Sequence, residues 1–210
     1  MMKKLILCAC TTRSIIKREE LLKVAVSANK AGWEIKLVSD LCEMCEDKKA
    51  PACKGSENCT FVACHPRAVK ALMDFKGMYY CKAISLRDAT ADDVLKQLDI
   101  QPVDDDELKA MFAEQIDSFE VKQGTDAWYP AIDKSRCLEC GKCYDFCPFG
   151  VYEMTEDVVR VVNPNQCKNS CPSCARMCPH EAIIFPKYDH SPINGGTTHD
   201  EVTGTADAQT

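Results

Sequence analysis

Residues 137–148 read CLECGKCYDFCP and residues 167–179 read CKNSCPSCARMCP, so two runs of four cysteines lie close together in the chain. Each run ends in a cysteine that is followed by proline. Three thiolates separated by two or three residues can surround one iron–sulfur cubane, because successive loop residues present their sulfurs to successive iron atoms. The fourth cysteine of each run lies too far from the cubane that the first three surround, so it can bind the cubane of the other run. The spacing therefore predicts two 4Fe–4S clusters that tie the runs together.

An internal repeat accompanies the two cysteine runs. Residues 132–133 precede the first run as residues 162–163 precede the second, and residues 147–152 align with residues 178–183. One extra residue lies inside the second run, between Cys167 and Cys171. Residues 128–188 are therefore predicted to form a duplicated α+β domain, in which each half carries four cysteines and a following apolar strand.

Residues 128–188 resemble the bacterial two-cluster 4Fe–4S ferredoxins over the whole segment. The resemblance implies that one cluster is held by set A, which comprises Cys137, Cys140, Cys143 and Cys178. It implies that the other is held by set B, which comprises Cys147, Cys167, Cys171 and Cys174. The extra residue before Cys171 departs from the family pattern, and we expect it to widen the loop without removing a ligand.

Zinc is the alternative metal for these thiolates, since groups of four cysteines suit zinc as well. Zinc-binding pairs are normally separated by a dozen or more residues, whereas each run here is continuous and ends in Cys-Pro. Gly141, between two cysteines of set A, allows the backbone to approach a cluster closely. The pattern favours iron–sulfur clusters.

The first hundred residues alternate between strand and helix patterns. Strands are predicted at 3–9, 33–39, 60–64 and 78–84, with helices at 14–31, after Pro66 and near 91–99. Such alternation predicts a small parallel α/β domain with Rossmann-like topology over residues 1–100. Residues 101–127 are expected to form an acidic helical linker, and residues 189–210, which are poor in large apolar side chains, a disordered tail.

Cysteines also follow the predicted strands of the N-terminal domain. Cys10, Cys42, Cys45 and Cys64 lie past the carboxyl ends of three strands, where open parallel sheets form their ligand crevice. We predict a third metal site here, an iron–sulfur cluster or zinc, with these four as ligands and Cys53 and Cys59 as close competitors. The alternative is that such thiols are buried small hydrophobes, and that interpretation suits Cys81, early in its strand.

A second resemblance involves the same crevice. Cys8-Ala9-Cys10 and Ala63-Cys64-His65-Pro66-Arg67 make residues 3–76 similar to the N-terminal module of the A-type subunit of heterodisulfide reductases. In that family a similar Cys-x-Cys and an Ala-Cys-Ser-Pro-Arg occur before a flavin domain. His65 stands in place of the serine here, and two additional cysteines lie in the 42–59 loop. The sequence lacks G-x-G-x-x-G, so a flavin or nicotinamide domain is not indicated.

Composition narrows the class of protein. The sequence has no run of 18 apolar residues, so no membrane span is expected. The 16 cysteines come without an export signal, which indicates metal binding in a reducing compartment, the cytoplasm. Between residues 92 and 120 the chain carries ten acidic and two basic side chains, and nowhere does it show a basic nucleic-acid footprint.

The predicted function is electron transfer. The chain would act as a ferredoxin-like carrier or as the electron-wiring subunit of an anaerobic oxidoreductase, with other redox proteins as partners. No catalytic residue is predicted, and whether the chain itself is an enzyme stays open. One alternative makes the N-terminal cluster an active site that reduces a disulfide or thioester. Another makes Cys42, Cys45, Cys53 and Cys59 a thiol or zinc switch in a regulatory protein.

Overall fold

The computed structural model describes residues 3–46, 59–80, 82–119 and 126–203. The N-terminal half alternates strand and helix: β1 (Lys4–Cys8), α1 (Arg18–Lys30), β2 (Glu34–Val38), α2 (Leu41–Glu46), β3 (Cys59–Ala63), α3 (Pro66–Lys76), β4 (Lys82–Ser85) and α4 (Ala91–Leu98). A longer helix, α5 (Asp106–Asp117), leads to the C-terminal half. That half contains β5 (Ala131–Ile132), α6 (Lys142–Phe146), β6 (Tyr152–Thr155), β7 (Val158–Val161), α7 (Ser173–Met177), β8 (Ile183–Ile184) and α8 (His199–Thr203).

The first four strands form one parallel sheet in the order β2-β1-β3-β4. The central strand β1 is apolar and buried, as expected of a parallel strand that helices cover on both faces. The chain leaves β1 first toward β2 and then toward β3, so the carboxyl end of β1 marks the position where the strand order reverses. A ligand crevice is expected at such a position. The prediction of a small parallel sheet is confirmed.

The cysteine-rich segment after β2 begins with a helix, where the sequence pattern indicated only a loop. Asp40 precedes α2, and its Oδ1 accepts hydrogen bonds from the backbone N–H groups of Cys42 at 2.9 Å and Glu43 at 3.2 Å. A carboxylate in this position satisfies donors that lack partners in the first turn of a helix. Cys42 and Cys45 therefore lie on a helix of six residues. Cys53 lies outside the described residues.

The acidic segment that we expected to be a helical linker contains the helix α5, which packs on the N-terminal half. Helix α5 contacts α1, where Arg18 makes a bidentate ion pair with Asp117 at 2.6 and 2.7 Å. Phe112 is the buried residue of α5, and the partly buried Leu108, Ala113 and Ile116 pack against the same core. Within the described ranges, no helix has both the length and the apolar character needed to span a bilayer.

The C-terminal half consists of short elements arranged around the two cysteine runs. Strands β5 and β8 pair antiparallel, and β6 and β7 form an antiparallel hairpin. The duplicated pattern is visible in this order, because each cysteine run contains a five-residue helix and is followed by a short strand. Trp128 stacks on Phe185 beneath these elements, with ring centroids 5.1 Å apart.

Residues 186–198, which we call the C-terminal strap, lie against the N-terminal half. Two arginines hold the strap, since Arg67 donates to the carbonyl of Pro192 at 2.7 Å and Arg87 to that of Tyr188 at 2.7 Å. The strap continues into α8, so residues 189–203 differ from the disordered tail expected from composition. The reason is that arginines bind its backbone carbonyls, while Tyr188 and Ile193 pack against the apolar cluster around Trp128. Residues 204–210 lie outside the described residues.

Close packing of the strap predicts a selective loss of stability. Gly195 has φ +89°, and an added Cβ would lie 2.7 Å from the Cβ of Ala68, whereas Gly150, with φ +65°, has open space around it. Gly150→Ala should lower the free energy of unfolding by roughly 1–2 kcal/mol, because it adds only the strain of a left-handed backbone. Gly195→Ala should cost about 1–3 kcal/mol more because it overpacks the contact. Anaerobic thermal unfolding of both variants measures the difference, and equal midpoints would contradict the described packing.

Candidate metal centres

The four cysteines of set B line one cavity. Its volume is about 280 Å³, and its other walls are largely apolar, with Pro130, Phe146, Phe149 and Tyr152 among them. Two of the four thiols come from the loop that contains the extra residue, one from α7 and one from the end of the first cysteine run. The structure thus brings together side chains from both runs, as the resemblance implied.

Burial and crowding make Cys167 and Cys174 of set B poor anions without a positive partner, whereas a hydrogen bond with Ser173 lowers the pKa of Cys171. Burial raises the pKa of Cys167 to about 12, and the neighbouring Cys174, Cys171 and Cys147 add to the rise. Burial likewise raises the pKa of Cys174 to about 11. Thiolates, not thiols, bind metals, so these groups need a cationic centre among them to ionise. The donor chemistry of the cavity fits an iron–sulfur cluster.

Set A lines a second, narrower pocket. All four cysteines line it, together with Leu138, Gly141 and Ile183. Burial raises the pKa of Cys143 to about 12, and the nearby Cys174, Cys137 and Cys178 raise it further. Because Cys174 belongs to set B, the two sets are close enough to influence each other.

Hydrogen bonds to sulfur are already present in both sets. The backbone N–H of Ala182 donates to Cys178 Sγ at 3.4 Å, and the hydroxyl of Tyr152 donates to Cys174 Sγ at 3.1 Å. Such donors stabilise negative charge on sulfur and are among the features that set the reduction potential of a cluster. In the described part of the chain, no three Cys, His, Asp or Glu side chains are grouped closely enough to hold a single metal ion.

The extra residue of the second run lies where the two halves of the protein meet. Arg13, from the loop after β1, approaches Asn169 Oδ1 and Ser170 Oγ at 3.5 Å each. Its guanidinium also lies 4.8 Å from the ring centre of Trp128, whose Nε1 donates to the carbonyl of Cys171 at 3.2 Å. The loop that contains the extra residue therefore contacts the N-terminal half, a role that the spacing of cysteines alone does not reveal.

The N-terminal crevice gathers three of the four cysteines predicted for a third site. Cys10, Cys42 and Cys64 lie near one another and near Cys8, which was not in the predicted set. Cys10 and Cys64 both raise the pKa of Cys8 and of Cys42, and Cys10 also raises that of Cys64. Burial is the largest cause and raises the pKa of Cys64 to about 12. We call the four residues Cys8, Cys10, Cys42 and Cys64 the crevice thiols.

The remaining N-terminal cysteines have different positions. Cys45 is fully buried on α2, and together with Cys42 it lies near Tyr129, whose pKa burial and these two thiols raise. Cys59 begins β3 and therefore lies at the sheet edge opposite the crevice. Cys53 and Cys81 lie outside the described residues. Of the predicted ligands and their competitors, the structure thus groups Cys10, Cys42 and Cys64 most clearly.

Charged side chains beside the crevice were not found by sequence reasoning. Lys187 Nζ lies 2.8 Å from Asp40 Oδ2 and 2.5 Å from Asp126 Oδ1, and both Lys187 and Asp40 are buried. Tyr129 donates its hydroxyl to the carbonyl of Cys42 at 2.7 Å. Asp40 could have been suspected because it directly follows a strand at the crevice, but Lys187, Asp126 and Tyr129 are distant in sequence and carry no local signal.

Comparison with known proteins identifies the C-terminal half. A family described as a 4Fe-4S dicluster domain matches residues 129–197. An uncharacterised ferredoxin of Methanocaldococcus jannaschii is 43% identical over 82 residues, which are 39% of this chain and 54% of that ferredoxin. This chain therefore spans about half the length of that relative.

Two further relatives are covered almost completely. Pyruvate synthase subunit PorD of the same organism is 32% identical over 77 residues, which are 36% of this chain and 88% of the subunit. Ferredoxin-3 of Nostoc is 30% identical over 92 residues, which are 33% of this chain and 89% of that ferredoxin. The similarity supports the predicted ferredoxin domain and its binding of iron–sulfur clusters.

Exchange of the fourth cysteine between the runs predicts a crossed loss of clusters. Cys178→Ala, in the second run, should remove the cluster of the first run, whereas Cys147→Ala, in the first run, should remove that of the second. Each variant should lose about half of the iron in the ferredoxin domain and retain one reduced-cluster signal in low-temperature electron paramagnetic resonance (EPR). Cys59→Ala is the matched control and should keep both signals. Loss of the same signal in both cluster variants would contradict the two sets.

Proposed function

We propose that this chain, which belongs to the 4Fe–4S dicluster ferredoxin family through residues 129–197, transfers single electrons through two clusters held by set A and set B. The observation that carries the proposal is that each predicted set of four thiols lines its own pocket, and that both pockets take cysteines from both runs. A cluster bound in each pocket would supply a centre that gains or loses one electron with little movement of its ligands.

The protein's own residues would then have three roles. The thiolates hold the clusters, the apolar walls of Phe146, Phe149 and Tyr152 exclude water, and hydrogen bonds to sulfur adjust the potentials. Cys140 of set A is exposed, so a partner protein can approach that end of the pair closely. None of these roles requires an acid, a base or a nucleophile.

The partners are proposed to be redox enzymes. Relatives include PorD, a subunit of pyruvate synthase, and PhsB, the electron transfer subunit of thiosulfate reductase in Salmonella typhi. We infer that this chain has a corresponding position, either as a free carrier or as the wiring subunit of an oxidoreductase. A cytoplasmic, anaerobic setting agrees with the cysteine-rich composition and remains part of the proposal.

A third metal site is proposed at the crevice thiols. The three buried thiols Cys8, Cys10 and Cys42 and the partly buried Cys64 lie at the carboxyl edge of the parallel sheet. Burial raises the pKa of each, so they too need a cationic centre to ionise. Iron–sulfur is preferred to zinc because the chain already binds such clusters. The resemblance of residues 3–76 to heterodisulfide reductase A-type subunits agrees with a redox role here, and it remains a prediction, as do the disulfide-reducing and regulatory alternatives.

Metal analysis of anaerobically purified protein tests the proposal. Two clusters require about eight irons and eight sulfides per chain, and a third 4Fe–4S cluster raises both to about twelve. Cys64→Ala should then lower the iron content to about eight, while the buried cysteine variant Cys59→Ala keeps it at about twelve. About eight irons with one zinc would contradict the third cluster in favour of a zinc site. Protein without iron would contradict electron transfer altogether.

A further inference from the structure

A buried ammonium joins the strap to the N-terminal crevice. Lys187 is only 2% exposed. Besides Asp40 and Asp126, its Nζ contacts Thr12 Oγ1 at 2.8 Å. A buried ion pair is weak evidence for stability, because desolvation of its charges offsets their attraction. Stability alone therefore does not explain why this charge is buried.

The two charges of the ion pair have opposite effects on the pKa values of the crevice thiols. After burial, the Asp40 carboxylate is the largest cause that raises the pKa of Cys10 and Cys42, and Lys187 lowers the pKa of both. Although burial disfavours its charged form, Cys42 and the two carboxylates hold the pKa of Lys187 above its ordinary value. The hydrogen-bond geometry places the ammonium beside the crevice: Asp40 Oδ1 accepts a hydrogen bond from the backbone N–H of Cys42 at 2.9 Å, and Lys187 Nζ lies 2.8 Å from Asp40 Oδ2. Arg87 is a second cation that acts on Cys10 and Cys64.

We propose that Lys187 raises the reduction potential of the metal site at the crevice thiols and that Asp40 lowers it. The inference rests on the proposed third site. An added electron makes the site more negative, and a positive charge in a buried environment stabilises the reduced form more than the oxidised form. The electron comes from the ferredoxin domain, which is oxidised by one electron as the crevice site is reduced, and no proton or bond is exchanged.

The origin of Lys187 gives this arrangement a further consequence. Lys187 and Asp126 belong to the C-terminal half, whereas Asp40 and the crevice thiols belong to the N-terminal half. Correct contact between the halves is therefore what brings the cation to the thiols. The potential of the N-terminal site depends on the ferredoxin domain that would supply its electron.

Redox titrations followed by EPR on the full chain test the proposal. Lys187→Met should shift the crevice site to a more negative potential, and Asp40→Asn should shift it to a more positive one. Asparagine keeps an oxygen that can cap α2, so this variant removes the charge with little change to the helix. The double variant should titrate close to the wild-type protein because the two shifts oppose each other. The potential of the set A cluster should move least.

Two controls separate charge from structure. Lys187→Arg keeps the positive charge and should retain the wild-type potential, and it remains informative if Lys187→Met fails to fold. Asp126→Asn removes the other carboxylate that contacts Lys187. Because Asp40, not Asp126, is the main negative charge acting on Cys10 and Cys42, this variant should shift the reduction potential of the crevice site less than Asp40→Asn does. Unchanged potentials in Lys187→Met and Asp40→Asn, with iron retained at the crevice, would overturn the inference alone. Absence of iron from the crevice in the wild-type protein would overturn the third site as well.

Discussion

The ferredoxin domain depends on a constraint of size, because its elements are too short to hold themselves together. Helices α6 and α7 have five residues each, strands β5 and β8 have two each, and α6 buries no residue. Isolated helices of this length are unstable in water, and small cores rarely supply enough burial. In the proposed function, bonds from thiolate to iron supply the missing free energy, since metal binding to such a domain is part of its folding. The crossed fourth cysteines would make each cluster a link between the two runs.

Polar contacts join the ferredoxin domain to the parallel sheet. Arg67 and Arg87 bind the backbone of the strap. Arg13 contacts the cysteine loop with the extra residue, and Lys187 lies beside Asp40 at the crevice. These contacts converge on the carboxyl edge of the sheet, where the crevice thiols lie. A relay from the ferredoxin domain to a third site would therefore cross an interface in which these charges and carbonyls accompany apolar packing, such as that of Phe75 against Tyr129.

Local patterns in the sequence predicted most of the elements but few of the contacts between them. The parallel sheet follows from alternating apolar segments, and the two cysteine sets follow from spacing and duplication, because both signals are contained in short stretches of chain. The strap could not be predicted in this way, since glycine-rich composition indicates disorder unless distant arginines bind its carbonyls. Helix α2 was missed because its start depends on Asp40 as a cap. Lys187 carries no signal in sequence, since its partners lie at positions 12, 40 and 126.

The most direct test of the central claim is diffraction from crystals of anaerobically purified protein, measured on both sides of the iron absorption edge. The proposed function predicts two strong anomalous peaks, one among the cysteines of set A and one among those of set B. If no iron is bound at the crevice thiols, those two peaks should still be present. Peaks that appear only at the zinc edge, or iron bound away from both sets, would contradict the assignment of this chain as a two-cluster electron-transfer protein.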